Sequence, residues 1–92
     1  MVTAFVLLDV RRDRINEVAQ ELADIDGIAE VYSVSGRHDL IAIIRARTNE
    51  DLAEVVTRGM AHVQGIESTE TFTAFRVHSR HDLETMFSIG MD

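Results

Sequence analysis

An α+β sandwich, one antiparallel sheet of four strands with two helices on one face, is the fold class this 92-residue sequence predicts. Two observations carry it. The chain runs strand, helix, strand twice over: residues 4–10, 13–23 and 29–34 in the first half, then 40–46, 49–61 and 69–77 in the second. The turn into the closing strand of each half also repeats, as Gly27-Ile28 and, 38 residues later, Gly65-Ile66. A doubled strand-helix-strand unit in so short a chain is the ferredoxin-like βαββαβ order, to which the C-terminus adds a short helix. Residues 1–78 make the single domain, and residues 79–92 form a helical tail that packs on the same domain or on a neighbouring subunit.

The first strand, residues 4–10, and the third, with Leu40-Ile41-Ala42-Ile43-Ile44, are apolar on both faces, the pattern of central strands covered on both sides. Two helices cover one side only, so the other face meets a second copy of the sheet or closes over a ligand within a dimer. The first helix carries Ile15, Val18, Ala19 and Leu22 at i, i+3, i+4 and i+7, with Asp13 as its expected N-cap. The second repeats the stripe with Leu52, Val55, Val56 and Met60, and Thr48-Asn49-Glu50-Asp51 has capping-box spacing at its start. Gly59 interrupts this helix at a cost of about 1 kcal/mol against Ala, and it reads as tolerated rather than as a contact. The last strand alternates Thr69, Thr71, Thr73, Phe75 and Val77 against Glu70, Phe72, Ala74 and Arg76. Beyond it Ser79-Arg80-His81-Asp82 reads as a cap and Leu83, Met86 and Phe87 as the apolar stripe of the tail, which ends near Gly90.

Composition narrows the function. Sixteen Asp and Glu stand against nine Arg, Lys is absent, and the net charge is −7. Binding to a phosphate backbone needs clustered cations, so direct nucleic-acid binding is not expected. The chain has no Cys and therefore no disulfide, thiol nucleophile or Cys-based zinc site. Its one apolar run near the N-terminus is too short for a membrane span or signal core, which points to a cytoplasmic protein without membrane contact. His78 and His81 with Asp82 straddle a strand end and a cap, so no metal site is expected, and no cofactor.

The loop Ser35-Gly36-Arg37-His38-Asp39 joins the halves. Gly36 allows a positive φ or close backbone approach, and Asp39 supplies a carboxylate for an ammonium group; the same residues also suit a plain hairpin turn in which Asp39 caps its own backbone. The stretch from Val31 to Leu40 resembles the Gly-x-x-Asp loop of the Lrp/AsnC ligand-binding domain, also called the RAM domain. Ser68-Thr69-Glu70-Thr71 is similar to that family's Thr-x-Thr entry into the last strand, and the resemblance spans about residues 2 to 78. It implies a sheet-to-sheet homodimer that assembles further to a tetramer or octamer, and a small effector, usually an amino acid, held between dimers. By position Gly36 would present backbone to the effector and Asp39 would pair with its amino group. Tyr32, Ser35, Arg37 and His38 lie in or beside the same segment, and Thr69 and Thr71 would add hydroxyls.

Regulators of this family carry an N-terminal helix-turn-helix domain, whereas this chain begins at its first strand. The resemblance therefore implies a stand-alone effector-binding module that acts on transcription or metabolism indirectly, with a full-length Lrp/AsnC-type regulator as a further candidate partner. Two other readings share the strand order. One is a small dimeric enzyme of the cofactor-free monooxygenase or isomerase kind. Such enzymes usually place His, Asn, Trp or Tyr within the sheet face, whereas the central strands here are aliphatic and Tyr32 is the only Tyr, and no nucleophile-base-orienter set can be assembled, so no enzyme is expected. The other is an ACT-like domain, which places a Gly at the first strand-helix turn where this chain has Val10-Arg11-Arg12-Asp13.

Overall fold

A computed structural model describes residues 1–80. Its elements follow the doubled order: β1 (Val2–Val10), α1 (Ile15–Ala23), β2 (Ile28–Ser33), β3 (Leu40–Ala46), α2 (Asn49–Glu54) and β4 (Ile66–Thr73). The sheet order is β2-β3-β1-β4, and every neighbouring pair is antiparallel. The two strands read as central are central. The predicted tail helix and its cap residues His81 and Asp82 lie outside the described residues.

Strand alternation builds one core. Ala4, Val6, Leu8 and Val10 of β1 and Leu40, Ala42, Ile44 and Ala46 of β3 are buried with Val18 and Leu22 of α1 and with Leu52, Val55 and Met60 from the second helical segment. The remaining stripe positions, Ile15 and Ala19 of α1 and Val56 of the second segment, are partly buried against the same core, so both stripes face the sheet as their spacing requires. Leu8, Leu22, Leu40 and Ile44 are fully enclosed, and truncating one of them to Ala costs about 2–5 kcal/mol from lost transfer energy and the cavity left behind.

Four local details depart from expectation. Asp13 is no helix cap: residues Arg12–Arg14 form a 3-10 turn, the Asp13 carboxylate accepts from Arg11 Nη2 at 2.8 Å, and α1 starts at Ile15 without a side-chain cap. Second, the helix expected over 49–61 is α-helical only to Glu54, then widens to a π turn over Val55–Gly59 and tightens to a 3-10 turn over Met60–His62. The Thr57 hydroxyl donates to the Ala53 carbonyl at 2.7 Å, a back-bond that bends helices. Third, Gly59 is a close contact after all, since a Cβ there would lie 3.1 Å from Ile25 Cγ2. Fourth, β4 runs from Ile66 to Thr73 rather than over 69–77: its last ladder pair with β1 is Ala4–Thr73, followed only by the Ala74 N–H donating to the Thr3 carbonyl at 2.9 Å; Phe75 and Val77 lie exposed beyond it. At the start of α2, by contrast, Thr48 Oγ1 accepts from the Asp51 N–H at 3.0 Å, as the capping spacing predicts.

The repeated Gly-Ile turn has a physical reason. Gly27 and Gly65 have φ of +98° and +104°, a region that residues with a Cβ rarely occupy. Each carbonyl then accepts from the far end of the other half's first strand: Gly27 from the Arg45 N–H at 2.9 Å, Gly65 from the Arg11 N–H at 2.8 Å. The turns thus tie the two halves together at matching points.

None of the described residues covers the face away from the helices. Phe5, Tyr32 and Phe72 are 38%, 47% and 49% exposed there, with Leu7, Ile41 and Ile43 half-buried between them. The register aligns Phe72, Phe5 and Ile43 in one row across the sheet, and Leu7, Ile41 and Tyr32 in the next.

Candidate functional site

The sheet brings its chemistry together at one end, where β1 finishes, the 35–39 loop enters β3, and β4 begins. Asp39 Oδ2 accepts from the Val10 backbone N–H at 2.8 Å, and the Asp39 N–H donates to the Leu8 carbonyl at 2.9 Å. The carboxylate therefore caps the end of β1, 29 residues away in sequence, and not its own backbone. Each carboxylate oxygen has more than one lone pair and Oδ1 is uncommitted, so the group keeps acceptor capacity.

Beside it lies an open depression of about 510 Å³ lined by Asp9, Val10, Arg12, Ile15, Asp39, Glu67 and Ser68. That volume is in the range of small-ligand sites. Three carboxylates, one guanidinium and one hydroxyl converge over the apolar side chains of Val10 and Ile15. The lining suits a small molecule with a positively charged group and some apolar surface.

Asp9 is the hub of the polar cluster. Ser68 Oγ donates to Asp9 Oδ2 at 2.6 Å, His38 Nδ1 lies 3.2 Å from Asp9 Oδ1, and His38 Nε2 lies 3.9 Å from Glu70 Oε1. The Ser68 hydrogen bond, with smaller help from the His38 ring and the Arg37 charge, holds the Asp9 carboxyl below its ordinary 3.8 in spite of the desolvation that opposes them. As arranged here the carboxylate sits between serine and imidazole. A nucleophilic serine needs the imidazole next to its own hydroxyl, with the carboxylate behind the ring. Ser68 is instead committed to a carboxylate, and the cluster lacks the geometry of acyl-transfer chemistry. Among the described residues, no three His, Asp or Glu groups converge as a metal site would require.

The remaining sequence-predicted residues scatter around this centre. Gly36 has φ +133°, which favours glycine, and nothing lies within 4 Å of where a Cβ would stand. Ser35 and Arg37 are exposed in the same loop without lining the depression. His38 turns to Asp9. Tyr32 sits on the uncovered sheet face, its hydroxyl donating to Glu30 Oε2 at 2.9 Å, and that bond raises the phenol above its ordinary 10.0. Thr69 and Thr71 pair with Leu8 and Val6 and so share their helix-facing side, opposite to Ser68. There Thr69 lines a smaller groove of about 250 Å³ with Val56, Met60, Ala61, Val63 and Ile66. Sequence reasoning missed Asp9, Arg12, Glu67 and Ser68. The available signal was Asp9, the one charged residue of β1.

The family model described as the Lrp/AsnC ligand binding domain matches residues 3–83. The chain belongs to the Lrp/AsnC ligand-binding family. Among curated relatives, the HTH-type transcriptional regulator FL11 of Pyrococcus furiosus is 31% identical over 77 residues, covering 84% of this chain and 50% of its own length. This Lrp/AsnC chain thus spans about half the length of the curated relatives it matches. The crystal structure of TTHA0845 from Thermus thermophilus is 44% identical with a TM-score of 0.82, and the match covers 87% of this chain and all of that one. The transcriptional regulator NMB0573 of Neisseria meningitidis, solved as an L-Met complex, is 11% identical with a TM-score of 0.76 over 86% of this chain and 53% of its own. At that identity the last match speaks for the Lrp/AsnC fold alone.

Proposed function

We propose that this Lrp/AsnC domain is a non-catalytic regulatory module that binds an amino acid at the Asp39 end of its sheet and works through self-assembly. The observation that carries the reading is the placement of Asp39: its carboxylate is pinned by the Val10 N–H at the wall of the 510 Å³ depression, with an oxygen left to accept from an ammonium group. The Lrp/AsnC membership supports a small effector, and the acceptor capacity left on Asp39 supports an amino acid as its class. The uncovered row of Phe5, Ile43 and Phe72 supports a sheet-to-sheet dimer, since an apolar face of this kind on a monomer is poorly stable in water. Dimers pairing further into tetramers or octamers would enclose the open depression.

The module acts on transcription or metabolism by favouring one assembly over another, which requires the effector to bind the two with different affinity. A full-length regulator of the family is a fitting partner. With no helix among the described residues long and apolar enough to cross a membrane, and with transcriptional regulators as relatives, the cytoplasm is the proposed compartment.

A thermal-shift scan against the twenty amino acids at millimolar concentration tests the reading. A ligand at 100 times its Kd stabilises the native state by about 2.7 kcal/mol, which is about 10–20 °C in Tm for a domain of this size. A selective rise with one or a few amino acids supports the effector module. A flat response across all twenty overturns it.

A further inference from the structure

The short run Arg11-Arg12-Asp13-Arg14 between β1 and α1 carries three guanidinium groups, and two are already committed. Arg11 Nη2 pairs with Asp13 at 2.8 Å. Arg14 Nη2 reaches Glu21 Oε1 at 3.4 Å and the Gln64 carbonyl at 3.3 Å. Arg12 differs from both. It enters none of the ion pairs found among the described residues, although it lines the depression together with Asp9, Asp39 and Glu67. The carboxylates of this wall are in part engaged elsewhere, Asp9 by Ser68 and His38 and Asp39 by the Val10 N–H.

The depression therefore offers both signs of charge. Asp39 has spare acceptor capacity, and Arg12 is the one cation among the lining residues, in no ion pair found among the described residues. Ile15, partly exposed, supplies apolar surface to the same lining. A guanidinium presents parallel N–H donors that match a carboxylate in a two-point contact, whereas a free amine or an uncharged amide lacks the charge to use it. The 3-10 turn over Arg12–Arg14 roots the side chain at the point where β1 ends, next to the Val10 N–H that fixes Asp39. One turn of backbone thus sets the positions of both charged anchors.

We infer that Arg12 is the residue that recognises the carboxylate of the bound effector, so that the site selects a zwitterion and not merely a cation. The inference rests on the amino-acid reading and names the residue that makes the site specific for a free acid. Three lining carboxylates against one guanidinium also oppose a second negative charge on the ligand, so acidic amino acids are the poorest fit among the twenty.

Titration calorimetry tests it with the amino acid that gives the largest thermal shift and with the α-carboxamide of that same amino acid. The wild-type protein is expected to bind the free acid at least about tenfold more tightly than the amide, the scale of one charge-assisted two-point contact. In Arg12→Gln the two ligands should bind within about twofold of each other, while Arg12→Lys, which keeps the charge and loses the planar fork, should fall between. Arg12 is exposed and enters no ion pair among the described residues, so the melting temperature of the ligand-free variants should match wild type. An Arg12→Gln protein that keeps the wild-type acid-to-amide ratio overturns the inference and leaves the amino-acid reading standing. Failure of the wild-type protein to bind any of the twenty overturns both.

Discussion

Asp39 is asked to do two things at once, and two substitutions separate them. Its Oδ2 accepts from the Val10 N–H at 2.8 Å, and Val10 is 4% exposed, so water does not easily replace that acceptor. Asp39→Ala removes the acceptor and leaves a nearly buried N–H without a partner, a loss of about 1–3 kcal/mol. For a domain of this size each kcal/mol moves Tm by about 4–8 °C, so a central loss of about 2 kcal/mol lowers it by about 8–16 °C. Asp39→Asn keeps an oxygen in the same place and loses only the charge, so its stability should stay within about 1 kcal/mol of wild type. Both variants lose the negative charge that would hold an ammonium group, and both should lose effector binding by tenfold or more. The assay is a thermal melt at one fixed protein concentration, since assembly makes Tm concentration-dependent, with calorimetry against the amino acid found in the scan. If Asp39→Ala melts with wild type, the Val10 bond contributes nothing. If Asp39→Asn binds the effector at wild-type affinity, the site is elsewhere.

Three further outcomes follow from the geometry. Gly27→Ala should destabilise by about 2–4 kcal/mol, because the new Cβ would meet Val55 Cγ2 at 2.7 Å in a backbone with φ +98°; a denaturant melt within 1 kcal/mol of wild type would contradict the packing. Asp9 titrates below its ordinary 3.8, so its contribution to stability is fully present above that value and is lost as pH falls through the lower folded value; Asp9→Asn should flatten that part of the acid-melting profile, and an unchanged profile would remove Asp9 as its source. A charge placed in the centre of the face away from the helices, as Ile43→Lys, should block the proposed sheet-to-sheet dimer and sediment as a smaller species than wild type, because Ile43 lies in register between Phe5 and Glu30 on that side; a variant that sediments as wild type does would show that the sheet face is not the contact.

The layers were legible because apolar side chains declare their environment locally. The apolar runs at residues 4–8 and 40–44 read as central strands, and the i, i+3, i+4, i+7 stripe of α1 had one surface to meet. Element ends were less legible. Asp13 is of the right type for an N-cap, but Arg11 two residues before it takes the carboxylate and the chain coils into a 3-10 turn instead. Phe75 and Val77 alternate as a strand should, yet the ladder with β1 ends at Ala4–Thr73 and the Ala74 N–H bond to the Thr3 carbonyl, and both side chains lie exposed; alternation alone does not mark where pairing stops. Gly59 read as tolerated within the helix because its contact, Ile25, lies 34 residues earlier in the chain.

The site was half legible for the same reason. The loop from Ser35 to Asp39 stood out by its residue types and its resemblance, whereas the wall it faces is made by pairing register. Register sets Asp9 opposite Ser68 and Leu8 opposite Thr69, and successive residues of a strand point to opposite faces. The serine therefore joins the carboxylate cluster, while Thr69 and Thr71 turn toward the helices. A shift of one residue in β4 would exchange the two sets, and composition alone does not choose between them. One clue was available without register. Asp9 is the only charge in a nine-residue strand that is otherwise apolar apart from Thr3. A carboxylate at the end of a central strand must find donors or stay in contact with water. Here it finds Ser68 and His38, and the neighbouring Val10 N–H finds Asp39. The two aspartates thereby both hold the end of β1, and both line the depression.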